Sequence, residues 1–322
     1  MFKFLPIEML TQVALTSSQW NQIACSPELL QQLREDFHFP VDSSFSGRLN
    51  VVTQLALGLS FANLSVGLQF YRCDLDRWTD RVAVDVELQG IVGYSALFLP
   101  DTSLLVTGGE FNDKRPGNAA RKQFRRVFRI MRDGTFTRLK NMVERRKSHA
   151  LSLVAGSLYA FGGRGRKAIL SSCEKLTLKG KLQGSNWSAI SDMQTPRHSF
   201  NPCSHRLCVY ICGGDTLGKC ELFDAQSASF SILPLKLSPH TRSACCFVDK
   251  DYLLVLTSER LYRWKLDGGE PESQVDHEKH LIYGQMNPIM YRHSIYILVV
   301  LTYPKVWIYD LATHTAREAP VS

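Results

Sequence analysis

The sequence lacks the short motifs of many enzymes and the long apolar runs of membrane spans. No GxSxG nucleophile turn, P-loop or HExxH zinc motif occurs in its 322 residues. No apolar run reaches the length of about 20 residues that a membrane helix needs. These absences argue against three common catalytic machineries and against a membrane span. An active site that gathers single residues from distant parts of the chain leaves no local motif, so an enzyme stays a distant alternative.

The chain also lacks the CxxC pairs of structural zinc sites. Cys203, His205, Cys208 and Cys212 lie within ten residues, but their spacing matches no usual set of zinc ligands. Cys208 and Cys212 alternate with Val209 and other apolar residues, so we interpret them as core residues of a strand. Nine cysteines at scattered spacings indicate reduced thiols. We therefore predict no metal, no cofactor and a cytoplasmic location, with the nucleus as an alternative.

Acidic residues are fewer than basic residues in this chain. The net charge is +8 and the isoelectric point is near 9.0, which favours acidic partners. The densest basic run spans 121–132 and follows a polar stretch, 110–123, which we interpret as an extended loop. It is either a solvated face or a contact site for an acidic partner. A nucleic acid is the less favoured partner, because only the phenylalanines of a predicted strand are available for stacking on bases.

A β-hairpin is the clearest feature that is present. The segment 145–163 contains one apolar run over 148–154 and a second over 158–161. Gly156, in the connection, can take the positive φ that short hairpin loops need. The second run ends in Gly162–Gly163, a pair suited to a turn and to close backbone approach.

The hairpin recurs along the chain. A second copy ends in Gly213–Gly214, 51 residues later, and a third ends in Gly108–Gly109, 54 residues earlier. Two later copies lack the glycines. Each hairpin is followed by a third strand, and six such segments occur, at 67–76, 125–134, 172–178, 219–226, 260–267 and 305–312. An outer strand follows, often opened by an aromatic residue, as at Trp78, Phe136, Trp187 and Phe230. Repeated four-stranded units predict a β-propeller.

These repeats resemble the kelch family over roughly residues 46–322. The matching features are the double glycine, the tyrosine before it (Tyr159, Tyr210), the aromatic third-strand position (Phe223, Tyr309) and the outer-strand tryptophan (Trp78, Trp187). We therefore expect a mainly β fold, a six-bladed kelch-type propeller with a short α-helical N-terminal segment. The resemblance implies a protein-interaction module.

Residues 1–45 differ from the repeats and are predicted to be helical. Apolar residues recur at helical spacing, and Ser26–Pro27–Glu28 is a plausible helix start. The segment resembles an F-box, with a shorter middle than is usual. That resemblance implies docking on the adaptor subunit of an SCF-type ubiquitin ligase, and so a place beside its cullin. The residues expected to contact the adaptor are Leu5, Pro6, Leu10, Trp20 and Ile23. The alternative is a helical cap packed on the propeller.

Arginines recur at one position of the repeat. Arg146 and Arg197 each lie 16 residues before the first glycine of their pair, and Arg242 lies near the same position in the next unit. Because that position precedes the first strand, the three should converge at one end of the propeller, beside Lys147 and His198. The resemblance implies that such arginines bind an acidic or phosphorylated peptide. The alternative is that each arginine pairs with a local acid and holds the structure together.

Two classes of function follow from the sequence. The first is a substrate receptor of an SCF-type ligase, in which residues 1–45 bind the adaptor and the propeller binds an acidic protein or peptide. The second is a kelch scaffold unrelated to ubiquitin. We expect no enzymatic activity, and a propeller enzyme is the least favoured class.

Overall fold

The computed structural model describes most of the chain from residue 55 onward. The described residues are 55–60, 66–72, 77–78, 82–84, 91–99, 103–111, 122–131, 133–178, 186–215, 217–238, 241, 244–249, 251–257, 260–266, 273–276, 289–291, 294–300, 304–313 and 315–318. Arg242 and the segment 1–45, including Leu5, Pro6, Leu10, Trp20 and Ile23, lie outside them. In the described part, no helix is long and apolar enough to cross a membrane.

An N-terminal sheet comes first in the chain. It contains β1 (Leu55–Ser60), β2 (Val66–Arg72), β3 (Arg77–Trp78) and β4 (Val82–Val84), all antiparallel to their partners. Both β3 and β4 pair with β2, one at each end, so they share a single outer position. Within the described residues, this sheet is therefore only three strand positions wide.

Five further sheets are four strand positions wide, and each follows chain order from inside to outside. Blade 1 contains β5 (Ile91–Phe98), β6 (Leu104–Phe111), β7 (Lys122–Gln123), β8 (Val127–Ile130) and β9 (Phe136–Arg138), with β7 and β8 both paired to β6. Blade 2 contains β10 (Ala150–Val154), β11 (Ser157–Phe161), β12 (Cys173–Thr177) and β13 (Trp187–Ile190). Blade 3 contains β14 (Cys203–His205), β15 (Cys208–Cys212), β16 (Lys219–Asp224) and β17 (Ser229–Lys236).

The last two blades repeat this plan. Blade 4 contains β18 (Ala244–Asp249), β19 (Tyr252–Thr257), β20 (Arg260–Lys265) and β21 (Ser273–Asp276). Blade 5 contains β22 (Ile289–Tyr291), β23 (Ser294–Val300), β24 (Pro304–Asp310) and β25 (Ala316–Glu318). The arrangement is a β-propeller, compatible with kelch-type repeats.

The predicted fold class is wrong in its number of blades. The structure supports five blades, not six, because the third-strand copy at 67–76 corresponds to β2 of the narrower N-terminal sheet. The third-strand pattern shows how the side chains of one strand alternate between its two faces. It does not show how many strands the sheet contains. The helical N-terminal segment is also unsupported: residues 1–45 lie outside the described part of the chain, which contains no helix.

Strand alternation explains how the blades stack. In β11, Leu158 and Ala160 pack into the core shared with blade 1, whereas Tyr159 and Phe161 pack into the core shared with blade 3. All four are at most 2% exposed. Because successive side chains of a strand point to opposite faces, one strand contributes to two inter-blade cores. Each fully buried large apolar side chain contributes roughly 1.5–3 kcal/mol.

The predicted hairpin is confirmed. β10 pairs with β11 from Ala150–Phe161 to Val154–Ser157, and the turn residues Ala155 and Gly156 have φ values of 48° and 66°. The alternating interpretation of β15 is also confirmed: Cys212 packs toward blade 4, and Val209 packs toward blade 2. Five of the six predicted third strands, all except 67–76, lie where the repeat placed them, and Phe136, Trp187 and Phe230 lie in outer strands as expected.

Candidate functional site

One end of the propeller carries the double glycines. In blade 2, Ala150 pairs with Phe161, Phe161 with Cys173, and Cys173 with Ile190. The segments before β10, after β11, before β12 and after β13 therefore meet at the same end. We call it the glycine end, and it contains the connections 139–149, 162–172 and 191–202.

The double glycines join each blade to the next. The second glycine of each pair donates its N–H across the blade boundary, from Gly109 to the Arg146 carbonyl (3.0 Å) and from Gly163 to the Arg197 carbonyl (2.9 Å). A Cβ at Gly162 would lie 2.6 Å from the Arg197 carbonyl oxygen. Only glycine permits this approach, and the positive φ at Gly162 (55°) and Gly163 (98°) adds a second requirement.

Arg146 binds groups of its own blade. Its guanidinium donates to the carbonyls of Gly162 (2.6 Å) and Ser172 (2.9 Å) and to the Glu174 carboxylate (2.7 Å). The same carboxylate accepts the backbone N–H groups of Val143 (2.6 Å) and Glu144 (2.9 Å). The connection that precedes blade 2 is thereby fixed to the third strand of that blade.

Blade 3 repeats this arrangement. Arg197 donates to the carbonyls of Gly213 (2.8 Å) and Lys219 (3.1 Å) and to Glu221 (2.7 Å). Glu221 in turn accepts the N–H groups of Gln194 and Thr195, which lie 51 residues after Val143 and Glu144. We call the Arg146–Glu174 and Arg197–Glu221 pairs the arginine staples. Their contacts match the alternative in which each arginine pairs with a local acid.

Burial decides what the staples can do. Neither arginine side chain is exposed to solvent, and their glutamate partners are at most 2% exposed. A buried charge needs a partner and further hydrogen bonds to offset its lost hydration, and each staple supplies both. In this conformation, the staples position the backbone, and the groups that face solvent are their neighbours in sequence.

The neighbours Lys147 and His198 are partly exposed. Lys147 forms an ion pair with Glu110 of blade 1 at 2.7 Å, with 19% of its side chain exposed. The His198 ring contacts the Ser199 hydroxyl at 2.9 Å. Arg146 and Arg197 also come close through the glycines, because Gly162 accepts from Arg146 and Gly163 donates to Arg197. Arg242, the third predicted arginine, lies outside the described residues.

Strained serines hold these two neighbours in place. Ser148 and Ser199 have φ values of 51° and 56°, and neither lies in a hairpin turn. The Ser148 N–H donates to the Gly93 carbonyl (2.6 Å), and the Ser199 N–H donates to the Ser148 carbonyl (2.8 Å). Blades 1, 2 and 3 are thus joined by consecutive backbone hydrogen bonds, which offset the cost of the left-handed conformation.

A cavity of about 470 Å³ opens beside Lys147. Its lining comes from two blades and includes four cations and one carboxylate: Glu110, Gln123, Lys147, Arg164, Gly165, Arg166, Lys167, Ala168 and Ile169. We call it the basic pocket. Because Lys147 already neutralises Glu110, the remaining charge of the lining is positive.

The turn 164–169 forms the outer wall of the basic pocket. It is held by backbone hydrogen bonds between Lys147 and Arg164 (3.0 and 2.7 Å) and from Gly165 to Ala168 (2.9 Å). Gln123 of blade 1 also donates to the Gly165 carbonyl at 3.1 Å. Arg164, Arg166 and Lys167 are exposed and form no ion pair with another described residue. Sequence reasoning missed this turn, although three cations directly after a double glycine were a usable signal.

His149 lies beneath this surface and is fully buried. Its Nε2 is 2.6 Å from the Thr107 hydroxyl. Burial, and secondly the charge of Arg146, hold the pKa of His149 well below its usual value, so the ring is neutral. Among the described residues, no group of three or more His, Cys, Asp or Glu side chains is arranged to hold a metal ion.

Comparison with known proteins identifies no relative. No protein-family model matches the chain, and no curated protein is significantly similar to it. The chain is therefore classified only by its fold, a β-propeller. This fold is commonly a protein-interaction module.

Proposed function

We propose that this protein is a non-catalytic interaction module whose propeller binds an acidic segment of a partner protein at the basic pocket. The supporting observation is the set of exposed cations on the turn 164–169, none of which has an acidic partner among the described residues. Lys147 and His198 lie at the same end. Direct contact of Arg146, Arg197 or Arg242 with the partner stays a prediction.

The chemistry of the turn suits carboxylates. The guanidinium groups of Arg164 and Arg166 can each bind a carboxylate through two parallel hydrogen bonds, and Lys167 adds a third charge. The turn is anchored to blade 1 and to Lys147, so less conformational entropy is lost when a ligand binds. Ile169 is 36% exposed and offers an apolar contact beside the charges.

Selection from a random peptide library tests this proposal and requires no identified partner. The wild-type protein is used as bait, with counter-selection against a folded variant that carries Arg166→Glu and Lys167→Glu. We expect the enriched peptides to be rich in Asp and Glu. Enriched peptides without acidic bias, or with equal binding to the variant, would show that the basic pocket is not the recognition site.

The finer proposal concerns residues 1–45. We propose that this segment binds the adaptor of an SCF-type ubiquitin ligase, so that the propeller presents its acidic partner to the ligase. Its support is the F-box-like pattern, with Leu5, Pro6, Leu10, Trp20 and Ile23 as the contact residues. The competing function is a scaffold that uses the same propeller without ubiquitin.

An adaptor pull-down separates these two functions. Full-length protein and a Leu10→Glu, Trp20→Glu variant are compared for adaptor binding and for thermal unfolding. Binding that is lost at an unchanged unfolding temperature supports the ligase role. If the wild type does not bind the adaptor, the scaffold is the correct function, and the peptide selection on the propeller is unaffected.

A further inference from the structure

Several cysteines meet in the core between blades 3 and 4. Cys212 and Cys220 are directly opposite each other on β15 and β16, and Cys246 enters from β18. Cys203, on β14, packs at the edge of the same cluster and is only partly buried. We call Cys203, Cys212, Cys220 and Cys246 the thiol cluster. All four are free thiols.

The backbone brings Cys203 and Cys246 together. Asn201 donates its N–H to the Ala244 carbonyl (2.9 Å) and accepts the Cys246 N–H (3.0 Å), so blade 3 joins blade 4 two residues before Cys203. Cys203 packs against the apolar cluster to which Cys212 and Cys246 belong.

The neighbouring thiols favour the thiolate form of Cys246. Interactions with the Cys203 and Cys212 side chains hold the pKa of Cys246 well below its usual value, although burial opposes them. Burial raises the pKa of Cys203. The cluster thus contains one sulfur with a lowered pKa, Cys246, and one thiol, Cys203, on a residue that is less buried than the other three.

We propose that Cys203 and Cys246 are a site of reversible oxidation by hydrogen peroxide, which joins blade 3 to blade 4 through a disulfide. Peroxide oxidises the thiol of Cys203, the least buried of the four cysteines, to a sulfenic acid and releases water. The Cys246 thiolate then attacks the Cys203 sulfur, forms the S–S bond and expels hydroxide, which takes a proton to become water. Two thiols lose two electrons, and one peroxide becomes two waters.

Peptide mapping of the intact protein tests this site. Wild-type protein is treated with hydrogen peroxide, its remaining thiols are alkylated, and a non-reducing tryptic digest is analysed by mass spectrometry. Trypsin separates the relevant cysteines, with Cys203 in 198–206 and Cys246 in 243–250. We expect a disulfide between these two peptides that disappears after treatment with dithiothreitol.

A matched pair of variants assigns the link within 243–250, which also contains Cys245. Cys245 lies on the opposite face of β18, in the core shared with blade 5. The link should persist in Cys245→Ala and disappear in Cys246→Ala. No link in the oxidised wild type, a link that joins Cys246 only to the Cys212 peptide, or overoxidation of Cys203 without a disulfide would overturn the proposal. Fragmentation of the linked wild-type peptides between Cys245 and Cys246 assigns the link even if a variant does not fold.

Discussion

Arg197 and Glu221 form an ion pair at 2.7 Å in which neither side chain is exposed to solvent. Every oxygen of the Glu221 carboxylate is also engaged by backbone N–H groups of the connection that enters blade 3. The pair therefore does for the backbone what a capping residue does for a helix end: it satisfies buried polar groups and fixes the path of the chain. Arg146 and Glu174 do the same one blade earlier.

Removal of the Glu221 carboxylate should destabilise the folded protein. Glu221→Ala leaves Arg197 charged and buried, and we expect the free energy of unfolding to fall by about 3–5 kcal/mol. Glu144→Ala is the matched control, because Glu144 is 41% exposed and lies 3.6 Å from Arg146; it should cost less than about 1 kcal/mol. Urea unfolding measures both. Equal losses would mean that the staples do not support the blades.

The double glycine should tolerate no side chain. Gly162→Ala places a Cβ 2.6 Å from the Arg197 carbonyl oxygen. Gly156→Ala has a similar positive φ but finds no atom within 4 Å. Both variants bear about 1–2 kcal/mol of left-handed strain, and Gly162→Ala adds about 1–3 kcal/mol of overpacking. The unfolding temperature of Gly162→Ala should therefore be clearly lower than that of Gly156→Ala. The reverse order would contradict the tight inter-blade approach.

His149 should make the protein sensitive to acid. Its pKa is depressed in the folded state, so below about pH 6.5 the unfolded chain binds a proton that the folded protein does not. Stability is therefore present above that pH and is lost as the pH falls. As the pH falls from about 7.5 to about 5.5, protonation of this histidine in the unfolded chain should lower the free energy of unfolding by at most about 1.4 kcal/mol.

His149→Gln is the control for the acid effect, since an amide can keep a hydrogen bond to Thr107 without titrating in this range. Urea unfolding of both proteins at a series of pH values makes the comparison. The wild type should lose more stability than the variant as the pH falls. Parallel pH profiles would show that His149 is protonated at no cost in the folded protein.

The repeat predicted much of the fold because most blades carry a local sequence pattern of a hairpin, a double glycine or an outer-strand aromatic residue. Gly162–Gly163 and Gly213–Gly214 end second strands, and Trp187 opens an outer strand, as expected. The blade count was wrong because β2 carries the third-strand pattern inside a narrower sheet. The number of strands in a sheet depends on tertiary structure, and the sequence pattern of one strand does not encode it.

The site was less predictable, for a related reason. The repeat located Arg146 and Arg197, but their partners Glu174 and Glu221 lie 28 and 24 residues further along the chain. Only the third strand's path across the blade brings each acid to its arginine. The basic pocket likewise joins Gln123 of blade 1 to the turn 164–169 of blade 2, a juxtaposition that no local pattern records.

The most direct test of the account is the affinity of a selected acidic peptide for charge-reversal variants across a range of salt concentrations. Arg166→Glu and Lys167→Glu, each at the basic pocket, are compared with Arg206→Glu, an exposed residue in the hairpin turn at the opposite end of blade 3. Each pocket variant should weaken binding by about tenfold, or about 1.4 kcal/mol, and should reduce its salt dependence. Arg206→Glu should match the wild type. Equal affinities and equal salt dependence in all four proteins would contradict the proposal that the glycine end recognises acidic partners.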